Sequence, residues 1–410
     1  MKFTMNLLPS IPATLEERRA LRPIAARTDR FQMMLDQYVE LAKMAEDLGF
    51  DMVTSTEHHL HEEGLEMGNT PALHATIAAH TSHVKVGPIG YVLPAWNPLR
   101  LAIETSWLDQ LTKGRSVVGM ARGYQTRWVN QLAQHIHVGP SSHDSEEADK
   151  VNREVFEEVW EFLKLAWADE PFEFNGKYYQ YPYPIESGTP WKATNWSEDF
   201  GSPGVVEDGF IKKINVVPKP YRKPRPLCFS AFSSSDATIK WAAREGIYAS
   251  VNGMAPTKSQ TIAETYRASA VEAGHDVKLG ERINLAHLIV FGDDEQDAFQ
   301  RALKGTAGTY YKRFAGEFGF WEAFKVPSDE GKFDGQKLPS SEWTMERLAE
   351  AGHLIAGTPA DVRRKIDRLV EGINPEYLQF GPNQGLWSIE ESKRQLRIFG
   401  EKIMPHYLDA

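Results

Sequence analysis

Asn97–Met120, NPLRLAIETSWLDQLTKGRSVVGM, holds one complete helix-to-strand unit. Asn97–Thr112 reads as a helix, Gly114 closes it, and Arg115–Met120 follows at once as a buried strand. The unit recurs in both directions, with helices ending in a glycine just before a strand at Gly49, Gly246 and Gly274. Strands are expected at Lys2–Leu8, Asp51–Thr56, Val84–Leu93, Arg115–Met120, Pro226–Ala231, Ile247–Val251, Arg282–Phe291 and Glu376–Phe380. Helices lie between them, including Pro71–His83, Asp236–Glu245, Pro256–Ala273 and Pro359–Val370, and a last helix starts at Ile389. Strands that are apolar throughout rather than alternating belong to a parallel sheet, and eight repeats close it. The fold class expected is α/β, a single (β/α)8 TIM barrel with insertions spanning residues 1–410.

Two stretches break the repeat. Residues 171–224 are aromatic and proline-rich and are expected to be an ordered excursion, with Trp191 and Trp196 at its centre. Residues 318–341 mix Gly, Lys, Asp and Pro around Trp321 and Phe324 and resemble a mobile lid.

Composition narrows the function. The 410 residues carry a net charge of −10 with no basic block, which argues against nucleic acid or an anionic membrane as partner. The hydrophobic share of 41% excludes a disordered chain. No run of about 18 apolar residues offers a membrane span, and the N-terminal segment does not read as a signal peptide, so the expected location is the cytoplasm. The single cysteine, Cys228, has no internal disulfide partner. No G-x-G-x-x-G, G-x-x-x-x-G-K-[ST] or G-x-S-x-G pattern occurs, which disfavours Rossmann, P-loop and serine-hydrolase chemistry.

Active sites of such barrels lie at the C-terminal ends of the strands. Four groups qualify. Glu57-His58-His59, followed by His61, leaves the second strand; it suits a general base steered by a carboxylate, a metal site, or a plain polar loop. Ile89-Gly90 on the third strand would let a flat ligand approach the backbone, or simply keep the strand small. Arg122, flanked by Gly123 at the end of the fourth strand, suits a phosphate or carboxylate, or a rim salt bridge. Ser233, Ser234, Ser235 and Thr238 open a helix, where hydroxyls and N–H groups hold an anion or merely cap.

TEHHL, NPLRLAIETSWLDQLTKGR followed by GMARG, FSAFSSSDATIKWAAREGI, AGTPADVRRKIDRLV and FGEKIMPHYL together resemble the luciferase-like flavin-dependent monooxygenases, the group of bacterial luciferase and alkanesulfonate monooxygenase. The resemblance implies a barrel binding reduced FMN, to which O2 adds as a peroxyflavin that oxygenates a small organic substrate. It implies His58 as catalytic base or acid, and Glu57 as orienting His58 or touching the flavin. Ile89–Gly90 would form a non-prolyl cis peptide against the ring. Arg122, Ser234, Ser235 and Thr238 would hold the phosphate. Reduced flavin would come from a separate NAD(P)H:flavin reductase, and a homodimer or higher homo-oligomer is expected. Two departures stand out: Ala121 occupies the place of the luciferases' reactive cysteine, and Ser234 that of an acidic residue. Rival readings are an F420- or NAD(P)H-linked flavin oxidoreductase on the same fold, a metal-dependent hydrolase built on Glu57, His59 and His61, and a flavin-binding protein without turnover.

Overall fold

The computed structural model describes every residue except 69, 142–144, 232–234, 253–255, 306–307, 309–314, 319, 330, 334–336, 383–386 and 409–410. The chain forms two compact units, Met1–Tyr91 with Cys228–Ala410, and Val92–Leu227.

In the first unit seven parallel strands lie side by side. Their order is Lys85–Pro88, Met52–Ser55, Lys2–Leu7, Tyr377–Phe380, Ile283–Ala286, Tyr248–Asn252 and Leu227–Ser230. Neighbours in register on a parallel sheet point to one face, so the pairing sorts the side chains. One face is apolar: Phe3, Met5, Leu7 and Phe380 are buried, and the rings of Phe3 and Phe380 meet Phe399 of helix Ile389–Lys402 at 5.6 and 4.4 Å. Burying a side chain of that size contributes about 1.5–3 kcal/mol. The opposite face is polar. Thr54 Oγ1 donates to Asn6 Oδ1 at 3.0 Å, and Asn284 Nδ2 donates to Ser250 Oγ at 2.9 Å and Gln379 Oε1 at 3.2 Å. Thr4, in register with Gln379, lies fully buried on the same face.

The expected strand over 282–291 divides at His287. Ile283–Ala286 stays in the main sheet, while Leu288–Phe291 pairs in parallel with Leu354–Gly357, a strand the sequence reading omits. The second pair builds its own core, in which Phe324, Leu338, Trp343, Leu348 and Trp387 are buried. The described part of the expected lid belongs to that core. Phe324 is fully buried and its ring stacks on Trp343 at 6.4 Å; Trp343 Nε1 donates to the Leu338 carbonyl and Arg347 Nε to that of Phe324. Asp329 accepts from the Val326 N–H and pairs with Arg347.

The second unit carries the stretch that decides the fold. Asn97 Oδ1 accepts from the Arg100 N–H at 3.0 Å to cap helix Pro98–Leu111, whose proline stands in the first turn. Gly114 follows at φ +83°, and the strand runs Val117–Ala121. A long amphipathic helix, Glu146–Trp167, buries Val155, Phe156, Val159, Trp160 and Phe162. Residues 171–224, the expected excursion, carry short elements of their own. They contain a hairpin of Phe174–Asn175 with Gln180–Tyr181, a small sheet of Thr189–Pro190, Val206–Glu207 and Phe210–Ile211, and helix Thr194–Phe200. Trp196 and Phe200 of that helix are exposed, 69% and 71%. Among the described residues, no helix is long and apolar enough to cross a membrane.

Two buried histidines in the first unit set an acid limit on stability. His74 Nδ1 donates to the Thr70 carbonyl at 2.7 Å, and burial pushes its pKa down to about 4. His287 Nδ1 donates to the Gly352 carbonyl at 3.0 Å; burial, then the neighbouring His353, push it down to about 3. Both rings fold neutral, whereas the unfolded chain takes up their protons below the ordinary value of 6.5. Their contribution is therefore intact above that pH and lost as pH falls toward the folded values, at about 1.4 kcal/mol per group per pH unit. Urea unfolding at pH 7 and pH 5 should show a decline that His287→Asn makes shallower; identical declines in both proteins would remove His287 from the account.

Candidate active site

The loop that follows strand Met52–Ser55 folds back on itself within the first unit. The Gly68 N–H donates to the His58 carbonyl at 3.0 Å. A Cβ at Gly68 would lie 2.0 Å from the Thr56 carbonyl oxygen, closer than any side chain permits, so the closure requires glycine. Inside the loop Glu57, His58, His61 and Glu66 are all buried. His59 Nε2 lies 3.0 Å from Glu57 Oε1. His58 Nδ1 lies 2.9 Å from Glu66 Oε2, and the His58 and His61 rings stack at 5.8 Å with 26° between planes.

This geometry redistributes the expected roles. The carboxylate against His58 is that of Glu66; that of Glu57 is taken up by His59. Sequence reasoning missed Glu66 because it lies eight residues past His58, beyond any helical or strand spacing. The one local sign is a third carboxylate, after Glu62 and Glu63, just ahead of Gly68. The same contacts bear on the metal alternative: Glu57 and His59 are spent on each other, and among the described residues no three His, Cys, Asp or Glu side chains converge as a metal site.

Ile89 and Gly90 are buried, and the Ile89 N–H donates to the Ser55 carbonyl at 2.8 Å, extending the strand pairing by one residue. The expected cis peptide between them is corrected by the structure. The cis bonds among the described residues all precede proline, and Ile89–Gly90 is not one of them. A non-prolyl cis bond is disfavoured by about 3–4 kcal/mol, and the regular ladder bond at Ile89 needs only the ordinary form. At the start of helix Asp236–Arg244, Ser235 is the N-cap: its Oγ accepts from the Thr238 N–H and lies 3.0 Å from Thr238 Oγ1. Thr238 is buried and Ser235 exposed. Ser233 and Ser234 lie outside the described residues.

In the second unit Arg122 ends strand Val117–Ala121 and turns to the first turns of helix Glu146–Trp167. Its Nη2 donates to Asp149 Oδ1 and to the Asp149 carbonyl, both at 2.7 Å, and its Nε to Asn152 Oδ1 at 3.0 Å. Asn152 Nδ2 returns a bond to the Arg122 carbonyl at 3.0 Å. The next residue, Arg153, has a pKa lowered first by burial and then by the Arg122 charge, with Asp149 and Glu157 opposing. Two guanidinium groups thus stand among two carboxylates, those of Asp149 and Glu157, so the charges of the cluster balance. Asp149, Asn152 and Arg153 went unread because each looks like an ordinary polar position beside Val151 and Val155; their spacing of three and four residues places them on one helix face. Cys228, in the first unit, is buried and forms no disulfide.

A family model described as luciferase-like monooxygenase matches residues 1–373. The alkanal monooxygenase alpha chain of Photobacterium leiognathi is 23% identical over 390 residues, 92% of this chain and 95% of its own. The oxygenase component of flavin-dependent trigonelline monooxygenase from Acinetobacter baylyi is 26% identical over 388 residues, 92% and 91% of the two chains. Among solved structures, the oxygenating constituent of 3,6-diketocamphane monooxygenase from Pseudomonas putida, a type II Baeyer-Villiger monooxygenase in complex with FMN, matches with a TM-score of 0.71. It is 20% identical and covers 99% of this chain and 98% of that one, a likeness that shows a shared α/β barrel fold.

Proposed function

The chain belongs to the luciferase-like monooxygenase family and is a flavin-dependent oxidoreductase, and from that premise we propose that it uses reduced FMN and O2 to oxygenate a small organic molecule, with reduced flavin supplied by a separate NAD(P)H:flavin reductase. The observation that carries the reading is the buried His58–Glu66 pair at the end of a parallel strand. Two similar proteins are described as an oxygenase component and an oxygenating constituent, which supports a reductase elsewhere.

The residues present suit such a cofactor. Arg122 would offer its guanidinium to a phosphate monoester, which such a group holds through parallel bonds. Entry of phosphate asks Asp149 to turn out of the fork, which its 32% side-chain exposure allows. In the first unit, the hydroxyls of Ser235 and Thr238 would offer donors at a helix N-terminus, and Ser234 is proposed to join them. Ile89 and Gly90 would present a flat strand edge to the ring, and Glu57 its remaining oxygen. Bound reduced FMN would supply the electrons that activate O2. His58 would take a proton at Nε2 from the reacting group and return it as product forms.

The test mixes purified protein with photoreduced FMN and a panel of small ketones, aldehydes and N-heterocycles under 18O2. Mass spectrometry should find one labelled oxygen in a product, none under argon, and none when reduced F420 replaces FMN. Turnover under argon, or with F420 alone, would overturn the monooxygenase reading in favour of hydride transfer.

A further inference from the structure

We propose that Asn6 and Gln379 form a pair of amide donors at the C-terminal end of the main sheet, and that the pair holds an uncharged acceptor oxygen of a bound ligand, a carbonyl of the substrate or of the flavin ring. The names of those ligands come from the reading of the chain as a flavin-dependent oxygenase; the donor pair follows from the sheet alone. Asn6 is the last residue but one of strand Lys2–Leu7, and Gln379 that of the neighbouring strand Tyr377–Phe380. Thr4 stands in register with Gln379, so Asn6, two residues further on, shares their face. It is the face turned away from helix Ile389–Lys402. In an α/β barrel that face is the inside, and ligands meet it at the C-terminal strand ends.

Four strands fix how the two amides are turned. Strand Met52–Ser55 flanks Lys2–Leu7 on one side, and Ile283–Ala286 flanks Tyr377–Phe380 on the other. Asn6 Oδ1 accepts from Thr54 Oγ1 at 3.0 Å, on the first flank. Gln379 Oε1 accepts from Asn284 Nδ2 at 3.2 Å, on the second, and Asn284 Nδ2 also donates to Ser250 Oγ. Both oxygens are thus tied outward. A carboxamide carries its nitrogen on the side of the carbon away from its oxygen. Asn6 Nδ2 and Gln379 Nε2 therefore turn inward, toward the seam between their own two strands. Each NH2 group only donates, so the two cannot satisfy one another. Among the described residues neither finds a protein acceptor. On the same seam Thr4 Oγ1 is fully buried without a hydrogen-bond partner, although buried polar atoms are nearly always paired.

The donors name the chemistry of the acceptor. Asn6 and Gln379 keep 5% and 6% exposure, whereas Thr4, Thr54, Ser250 and Asn284 keep none, so a ligand reaches this layer through the two amides. All six side chains are neutral, and a carboxylate or phosphate would find no counter-charge among them. A carbonyl oxygen has two lone pairs and can take one hydrogen from each amide.

Side-chain amide spectra of the nitrogen-15-labelled protein test this. The NH2 signals of Asn6 and Gln379, identified by their loss in Asn6→Leu and Gln379→Met, should both shift with one of two probes, oxidised FMN or cyclohexanone. Shifts with FMN assign the pair to the flavin ring, and shifts with cyclohexanone assign it to the substrate. Methylenecyclohexane, which has the shape without the oxygen, should move neither signal. Each variant should weaken the probe concerned about tenfold, the worth of one neutral hydrogen bond, and leave the other within about twofold. Asn6→Ser and Gln379→Leu serve the same purpose if the first pair fails to fold. Two signals unmoved by saturating FMN and by cyclohexanone would overturn the proposal, as would variants that bind both probes like the native protein. Shifted amides in a protein that incorporates no 18O would instead count against the oxygenase reading and leave the donor pair standing.

Discussion

Replacing His58 by alanine should cut product formation by roughly two to four orders of magnitude, the usual worth of a positioned general base, while FMN still binds. The ring is buried, with Nδ1 2.9 Å from Glu66 Oε2, and stacked on His61, so its loss removes the group proposed to move the proton. The change should therefore fall on kcat, with flavin titration giving an affinity near that of the native protein. Exogenous imidazole should restore part of the rate, because the cavity left is imidazole-shaped. Full activity in His58→Ala would remove His58 from the chemistry. Lost activity together with lost FMN binding would move it from proton transfer to cofactor retention.

A second large effect is expected far from that loop. Phe324→Ala should destabilise the protein by about 3–5 kcal/mol, the range for emptying a fully buried aromatic site. Phe324 has no exposed surface, stacks on Trp343 and lies in a core shared with Leu338, Leu348 and Trp387. Arg347 donates to its carbonyl, so the backbone there cannot close the gap by sliding. Chemical denaturation would measure the loss. A change below about 1 kcal/mol would mean that the segment is loosely held, in line with the mobile-lid expectation for residues 318–341.

The parts of this fold legible in sequence are those fixed by local rules. Asn97–Met120 could be read because periodicity, a terminal glycine and a buried strand occur together, and the helix and strand formed within three residues of the expected bounds. The break at His287 was not legible, since Leu285–Phe291 is an unbroken apolar run apart from one histidine. Only its second partner, Leu354–Gly357, some 60 residues later, divides it. Phe324 stands among Gly, Lys and Asp in sequence, and the residues that bury it, Trp343 and Leu348 among them, lie in other elements. In the site, His58 was legible from its place after a strand. Glu66 was not, because a left-handed turn, not a periodic element, delivers it. Arg122 was legible as a strand-end guanidinium in need of a polar partner, but that partner, Asp149, was hidden on a helix marked by its apolar face.

The two faces of the main sheet also bear on how this protein can change. Its stability rests on the side where Phe3, Met5, Leu7 and Phe380 meet Phe399, while the other side carries Thr4, Asn6, Thr54, Ser250, Asn284 and Gln379. Alternate positions of the same strands therefore differ in what a substitution removes, an apolar contact on one side and a buried hydrogen bond on the other. Asn284→Leu would strip Ser250 and Gln379 of a partner at once, so neither face is free to vary alone.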